Sequence, residues 1–427
     1  MKKLVSRFVC LLILFQSMSF IYSQKSTNGK SKLYVWSFTD EIYDFLNDED
    51  FGYKASHPNV EIECDYTPTD EFSRKLDSAI ELKERIPDVI TLEDTFIRKY
   101  VESGLLLPLD DLYEEVKSKM VDYPIRVGSY NGHVYAMSWL TYPGAMFYRR
   151  SYAKKYWGTD DPAKVQKKVK DFDTFMATAR ELNKISKGKC KMVSTSEELF
   201  LPCKGARKEP WIVDGNLYID PAMEKYMDMA KAFYDEDLDA KTTQWSSDWY
   251  AGMNDSLEDE DGKPLEVMAY FLSTWGVDYI LKYAASNTSG DWAICAGPSS
   301  WRWGGQWIAA YKDTKNPEAA KEMIRYLTTD DEFLEWVALN TNEVVGNIKV
   351  QDKVKDRFSE PHLKGQNSYE IFSELSKSVD GSLVQETDAL IETLWTVQVK
   401  EYATGKVTKK KALNAFKKDV SNHILKK

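Results

Sequence analysis

The alternation of strand-like runs and amphipathic stretches between Leu33 and Asp94 constrains this chain more than any other feature. Leu33-Tyr34-Val35-Trp36-Ser37-Phe38 is rich in aromatic and β-branched residues and reads as a strand. Thr39 or Asp40 is placed to cap a helix that carries Ile42, Phe45 and Leu46 on one face. Val60, Ile62, Cys64 and Tyr66 alternate as in a second strand, and Phe72, Leu76, Ala79 and Ile80 recur at helical spacing from Thr69. Val89-Ile90-Thr91-Leu92 is a short, continuously apolar strand ending at Glu93-Asp94. Strand, helix, strand, helix, strand at these lengths predicts a parallel α/β sheet. Ligands of such sheets collect at the carboxyl ends of the strands, where strand order reverses. With the first and third strands flanking that point, Trp36 to Glu41 and Glu93 to Thr95 share one rim.

A chain of 427 residues is too long for one small core and suits two lobes built from interleaved segments. Lys2, Lys3 and Arg7 precede an apolar run from Phe8 to Phe15, and Ile21-Tyr22-Ser23 ends on a small residue, so residues 1–23 read as a signal peptide cleaved before Gln24. Gln16, Ser17 and Ser19 break the run well short of the ~18 residues a membrane span needs. Cys10 precedes most of it, so lipid anchoring is not expected. Residues 1–23 hold three basic and no acidic side chains, and their removal takes the formal charge from −10 to −13. Such an acidic exported protein repels nucleic acid and anionic membrane. Cys64, Cys190, Cys203 and Cys295 permit disulfides, Cys190 with Cys203 closing the shortest loop, but unpaired thiols fit equally.

Asn131-Gly132 marks a hairpin. The Pro143-Gly144 kink before Ala145 to Arg149 is where the chain can pass from one lobe to the other. Helices are expected around Phe172 to Ile185 and Pro221 to Tyr234. The acidic run Asp255 to Asp261 lacks the acids that a calcium loop needs at Leu257 and Met268, and reads as a solvated loop. From Val267 to Tyr326 five tryptophans stand among glycines and apolar runs, with strands expected at Glu266 to Phe271, Trp292 to Ala296 and Trp307 to Tyr311. Asn316-Pro317-Glu318 reads as a helix N-cap, a first-turn proline and a first-turn acid. The histidines are isolated, and there is no phosphate loop or nucleophile elbow, so no metal, cofactor or catalytic constellation is expected.

The segments VWSFTDE, PDVITLEDTFIRKYVESGLLLPLDDL, NGHVYAMSW, VMAYFLSTWG, GDWAICAGPSS and GGQWIAAYKDTKNPEAAKEMIRYLT stand in the order and approximate spacing of a known family. Over roughly residues 33–350 the chain resembles the extracellular solute-binding proteins of carbohydrate ABC transporters, the maltose-binding-protein-like family 1. The resemblance implies a two-lobed periplasmic-binding-protein-like α/β fold of type II, with interleaved domains, a hinge and an inter-lobe ligand cleft. It implies an N-terminal lobe of residues 31–139 plus 304–345 and a C-terminal lobe of 143–300 plus 346–427. It also implies a monomeric, periplasmic substrate-binding component that captures a mono- or oligosaccharide by hinge closure and delivers it to permease subunits. Many bacterial relatives carry a lipidated cysteine at the cleavage site, where this chain has Gln24.

A sugar presents hydroxyls at its edge and C–H groups on its faces, so its site needs flat aromatic walls and rim acceptors. The expected walls are Trp36, Trp139, Trp275 and Trp303, with Tyr142 and Trp249 behind them. Expected acceptors are Asp40, Glu41 and Asp94, with the Gly304 and Gly305 backbone and the Gln306 amide as further partners. For Trp275 and Trp303 a core role is as good a reading. Trp157, Trp211, Trp292, Trp336 and Trp395 read as core, and Trp301 and Trp307 stay open. Asp40 serves equally as a helix cap. A secreted glycoside hydrolase or a carbohydrate-binding surface protein would use the same residue types.

Overall fold

The computed structural model describes residues 31–425, so the expected signal segment lies outside the described residues. The opening alternation forms β1 (Ser31–Ser37), α1 (Ile42–Asn47), β2 (Val60–Tyr66), α2 (Thr69–Leu82) and β3 (Val89–Glu93). β1 pairs in parallel with β2 on one side and β3 on the other, with Val35 opposite both Cys64 and Val89. Strand order reverses between β1 and β3, which brings the loops after both strands to one rim. Neither Thr39 nor Asp40 caps α1. Glu41 holds the cap position without capping, because its carboxylate is engaged by Gln306 instead.

The second sheet comprises β4 (Gly144–Arg149), β5 (Cys190–Val193), β6 (Glu266–Ser273) and β7 (Trp292–Cys295), in the order β7-β4-β6-β5. Every residue of β4 and β6 is buried, which is why both read as continuous apolar runs and not as alternating ones. α3 (Phe172–Ser186) and α4 (Pro221–Asp235) cover it, placing Phe175 and Phe233 in one core with Phe271. The chain returns through β8 (Gln306–Ala310), antiparallel to β3, which completes the first sheet as β8-β3-β1-β2. α5 (Pro317–Thr329) follows with Met323, Ile324 and Leu327 buried. Asn316 does not cap it; its amide donates to the Lys32 carbonyl at 2.9 Å and ties the helix start to β1. The C-terminal helices α6 (Asp388–Ala403) and α7 (Lys409–Val420) pack Trp395 against Phe416 and Trp211.

Three backbone segments run side by side between the sheets. Residues 139–144 lie in the middle. On one edge Gly144 N–H donates to Trp301 O at 2.8 Å and Trp303 N–H to Tyr142 O at 3.1 Å. On the other, Thr141 N–H donates to Val344 O and Gly346 N–H to Trp139 O, both at 2.7 Å. The Ser273 hydroxyl, at the end of β6, reaches the Tyr142 and Pro143 carbonyls at 3.0 and 3.1 Å. The expected Pro-Gly exit from the first lobe is thus the central strand of a three-stranded crossing.

Close packing fixes the two tryptophans left open by the sequence. Trp301 lies flat against Gly144, where an added Cβ would stand 2.2 Å from its ring. Trp307 is buried, and its indole N–H donates to Pro124 O at 2.8 Å. Both belong to the core, as does Trp292, whose N–H donates to Thr288 Oγ1 at 2.8 Å. Cys64, Cys190, Cys203 and Cys295 are all free thiols, so no disulfide closes the Cys190–Cys203 loop. Burial pushes the Cys295 thiol up to about 12, which leaves it inert. Gly144→Ala overpacks the crossing and should lower stability by about 1–3 kcal/mol, read as a shift in denaturation midpoint at unchanged slope.

Candidate functional site

Polar groups from both loops of the rim and from all three crossings meet at Tyr142 and Gln306. Gln306, at the start of β8, is 5% exposed. Its amide donates to the Glu41 carboxylate and, at 3.4 Å, to Thr39 Oγ1, while its Oε1 accepts from the Tyr142 hydroxyl at 3.4 Å. Behind them the Tyr142 N–H donates to the Tyr123 hydroxyl at 2.5 Å. Glu343 opens the third crossing. Its Oε2 and the neighbouring Thr274 hydroxyl are both buried and have no partner besides each other.

The carboxyl groups feel this burial. Burial pushes Glu343 up to about 8, Thr274 offsets part of the rise, and the charges of Glu41 and Asp278 add to it. Glu41 is raised by burial against the opposing Gln306 amide, with Asp40 and Asp44 adding to the rise. Glu93 is raised by burial and then by Asp94, although its carboxylate accepts from the Thr95 N–H at 2.7 Å and hydroxyl at 2.5 Å and the Arg302 charge also opposes the rise. The base at this rim, Arg302, is taken by Asp94 at 2.5 Å and by the Gly304 carbonyl at 3.1 Å.

Three indoles stand beside this cluster. Trp275 N–H donates to the Trp303 carbonyl at 3.2 Å, and the two rings meet edge to face at 4.8 Å. Trp245 stacks on Trp275 at 6.0 Å and 20°, and meets Trp303 at 5.5 Å. It is 47% exposed and has φ +69. A bulky residue in the left-handed region costs about 1–3 kcal/mol and persists where the surroundings impose it. Trp245 is absent from the residues expected from sequence; the available signal is a lone indole in the polar run Lys241 to Asp248. Glu343 is likewise absent from them, because its partners lie some three hundred residues upstream or at the far end of β6.

The remaining expected residues divide. Trp36 is 3% exposed, with Phe72 at its edge and the Lys75 ammonium 4.7 Å above its ring, in a core with Leu92. Trp139 is fully buried against Phe45. Trp249 is fully buried too, its N–H donating to Glu198 Oε1 at 3.0 Å. All three have neighbours on their faces and present no open wall. Asp40 points to solvent, and Asp94 is held by Arg302. Gly304, at φ +80, adopts a turn that favours glycine, and Gly305 lets the Trp307 ring lie where a Cβ would be 2.2 Å away. Glu41, Tyr142, Trp275, Trp303 and Gln306 are brought together, and Trp245, Thr274 and Glu343 join them.

Glu343 makes stability pH-dependent. In the unfolded chain a glutamate ionises above about pH 4.3, whereas in the fold Glu343 keeps its proton up to about 8. Its contribution is complete below the unfolded value and is lost as pH rises through the folded one. Glu343→Gln should therefore raise the melting temperature relative to the parent by roughly 2 °C or more at pH 8, with little difference at pH 4, measured by thermal unfolding.

Known proteins share this architecture. The family model of bacterial extracellular solute-binding proteins matches residues 52–358. An extracellular solute-binding protein of family 1 superposes with a TM-score of 0.81 at 18% identity, covering 92% of this chain and 99% of that one. The sugar-binding protein MalE from Xanthomonas citri gives 0.75 at 14% identity, with 93% and 98% covered. The galacto-N-biose/lacto-N-biose I-binding protein of a Bifidobacterium longum ABC transporter, solved with lacto-N-biose, gives 0.68 at 15%, again with 93% and 98% covered. At these identities the superpositions establish the two-lobed fold, and among the described residues no helix is long and apolar enough to cross a membrane. With the family match spanning well over half of its length, the chain belongs to the bacterial extracellular solute-binding proteins.

Proposed function

We propose that the protein is the carbohydrate-capturing component of an ATP-binding-cassette importer. Lobes of residues 31–139 plus 304–345 and 143–300 plus 346–427 close about the three crossings, in the manner of hinged binding proteins. The carrying observation is the partly open indole wall of Trp245, Trp275 and Trp303 beside the polar cluster of Glu41, Gln306, Thr274 and Glu343 at the crossings. A pyranose face laid on an indole withdraws some tens of Å² from water, worth about 1 kcal/mol at roughly 25 cal/mol per Å². Each buried sugar hydroxyl left unpaired would cost about 1–3 kcal/mol, and Glu41, Gln306, Thr274 and Glu343 are the groups that pair them. The neighbours solved with sugars support this ligand class. In this reading the chain is exported, is not lipid-anchored, works as a monomer and hands its ligand to permease subunits, without cofactor or catalysis.

A thermal-shift screen against a carbohydrate panel tests it, since a ligand at a hundredfold excess over Kd adds about 2.7 kcal/mol. Trp245→Ala and Trp275→Ala should each weaken binding of the hit at least tenfold, about 1.4 kcal/mol, in folded protein. Trp36→Ala should instead lower stability by about 3–5 kcal/mol as a core truncation. The scattering radius should shrink on ligand addition; binding without shrinkage favours a carbohydrate-binding surface protein. Release of free sugar from incubated oligosaccharides would replace the importer reading with a glycoside hydrolase.

A further inference from the structure

A groove of about 550 Å³ lies beside the second sheet, between α4, α6, the turn at 195–200 and the loop 241–244. That volume is within the roughly 300–1,000 Å³ of a small-molecule site. Its charged residues are two of each sign, and the fold answers them itself. Lys241 pairs with Asp237 at 2.9 Å, Lys400 reaches Glu197 at 4.0 Å, and Asp239 accepts from the Ser196 N–H at 2.7 Å. The rest of the polar lining is neutral, five threonines with Ser196 and Gln244. Apolar surface comes from Phe200, Val397 and Tyr234, the last 44% exposed with Lys241 over one face of its ring. Hydroxyls and an amide beside an open aromatic, with charge balanced, suit a neutral polyhydroxylated ligand better than an ion.

The groove adjoins the indole wall. Gln244 lines the one, and Trp245, next in the chain, belongs to the other. On the opposite edge Glu197 lines the groove, while Glu198 beside it accepts from the indole of Trp249, whose ring meets Trp245 at 5.2 Å. Lys241 and Trp245, at φ +55 and +69, bracket Thr242-Thr243-Gln244. Two left-handed residues so close together persist only where the surroundings impose them. Thr242 is anchored through Ser194, hydroxyl to hydroxyl at 2.7 Å. The Thr243 hydroxyl and the Gln244 amide are bonded to no other described residue and are free to meet a ligand.

We propose that the ligand is a neutral oligosaccharide with one end against Trp245, Trp275 and Trp303, its further units passing Trp245 into this groove to meet Tyr234, Thr243 and Gln244. The inference rests on the carbohydrate reading above and adds a second region of contact to it. Chain length then becomes a selected property. The wall alone holds a short saccharide, and a longer one gains contacts once it reaches the groove.

Calorimetric titration tests the proposal with malto-, cello- and galacto-oligosaccharides, each taken from the monosaccharide to the hexasaccharide. In a series that binds, affinity should rise at least roughly tenfold from the shortest member bound to the longest. Thr396→Trp, which fills the groove from α6, and Tyr234→Ala should each cut that gain below threefold in protein that melts as a single transition, with affinity for the shortest member unchanged. Affinity independent of length overturns the groove proposal and leaves capture at the wall standing. A gain with length that both variants leave intact also overturns it, because the added units would then be held elsewhere. Tighter binding of a hexosamine or uronic-acid oligosaccharide than of its neutral counterpart overturns the neutral ligand. Absence of any heat or melting shift across all the series counts against carbohydrate capture itself.

Discussion

The hydrogen bonds between the three crossing segments hold everything else in place. One buried cluster takes in residues of both sheets, Val35 and Ile308 with Phe147 and Leu272 among them, and the sheets are joined where 139–144 pairs with 301–303 on one edge and with 344–346 on the other. Because the backbone groups of the crossings satisfy one another, the ladder can twist without exposing unpaired N–H or C=O groups to an apolar core, the condition under which a buried backbone can move. Tyr142, Trp303 and Glu343 lie on or against this ladder, and Gln306 directly follows it. In the proposed carbohydrate reading, ligand contact and hinge motion therefore share residues, and a molecule that bonds Gln306 and Glu343 together would constrain the relative rotation of the lobes.

The first sheet was open to inspection in the residues themselves. Apolar alternation from Val60 to Tyr66, the continuous run at Val89 and the helical spacing from Phe72 each depend on near neighbours, and local spacing is what a sequence displays. The rim shared by the β1 and β3 loops followed from that topology. Side-chain direction did not follow as easily. Trp36 belongs to the strand and faces α2, so its ring is spent on Phe72 and Lys75 even though the residues after it reach the rim. Trp139 opens the middle crossing and turns its ring toward Phe45. Trp249 is pinned by Glu198, a bond between residues fifty-one apart. No periodicity announces such long-range ties.

Trp245 and Glu343 illustrate the other kind of omission. The ring of Trp245 reaches the wall because its backbone is left-handed, a conformation expected of glycine or asparagine and not of a bulky residue. Glu343 lies in an ordinary helix-ending stretch, Asn342-Glu343-Val344, and gains its meaning from the third crossing, which carries it to Glu41 from the opposite end of the chain. In both cases what brings the residue to the proposed site is a tertiary placement, and the residue type alone carries little of it.

Two glutamates pushed to the same value by burial are held in different ways. Glu198 and Glu343 are each pushed up to about 8 by burial. Glu198 accepts from the Trp249 indole and, at 2.8 Å, from the Phe271 N–H, so both of its oxygens are partnered. Glu343 Oε2 has only the Thr274 hydroxyl to meet it. An unmet oxygen does not by itself mark a ligand site, since Asp388 and Glu392 carry buried unmet oxygens as well. What sets Glu343 apart is its place: the third crossing carries it to Glu41 and the Tyr142 phenol, beside the indoles of the proposed wall.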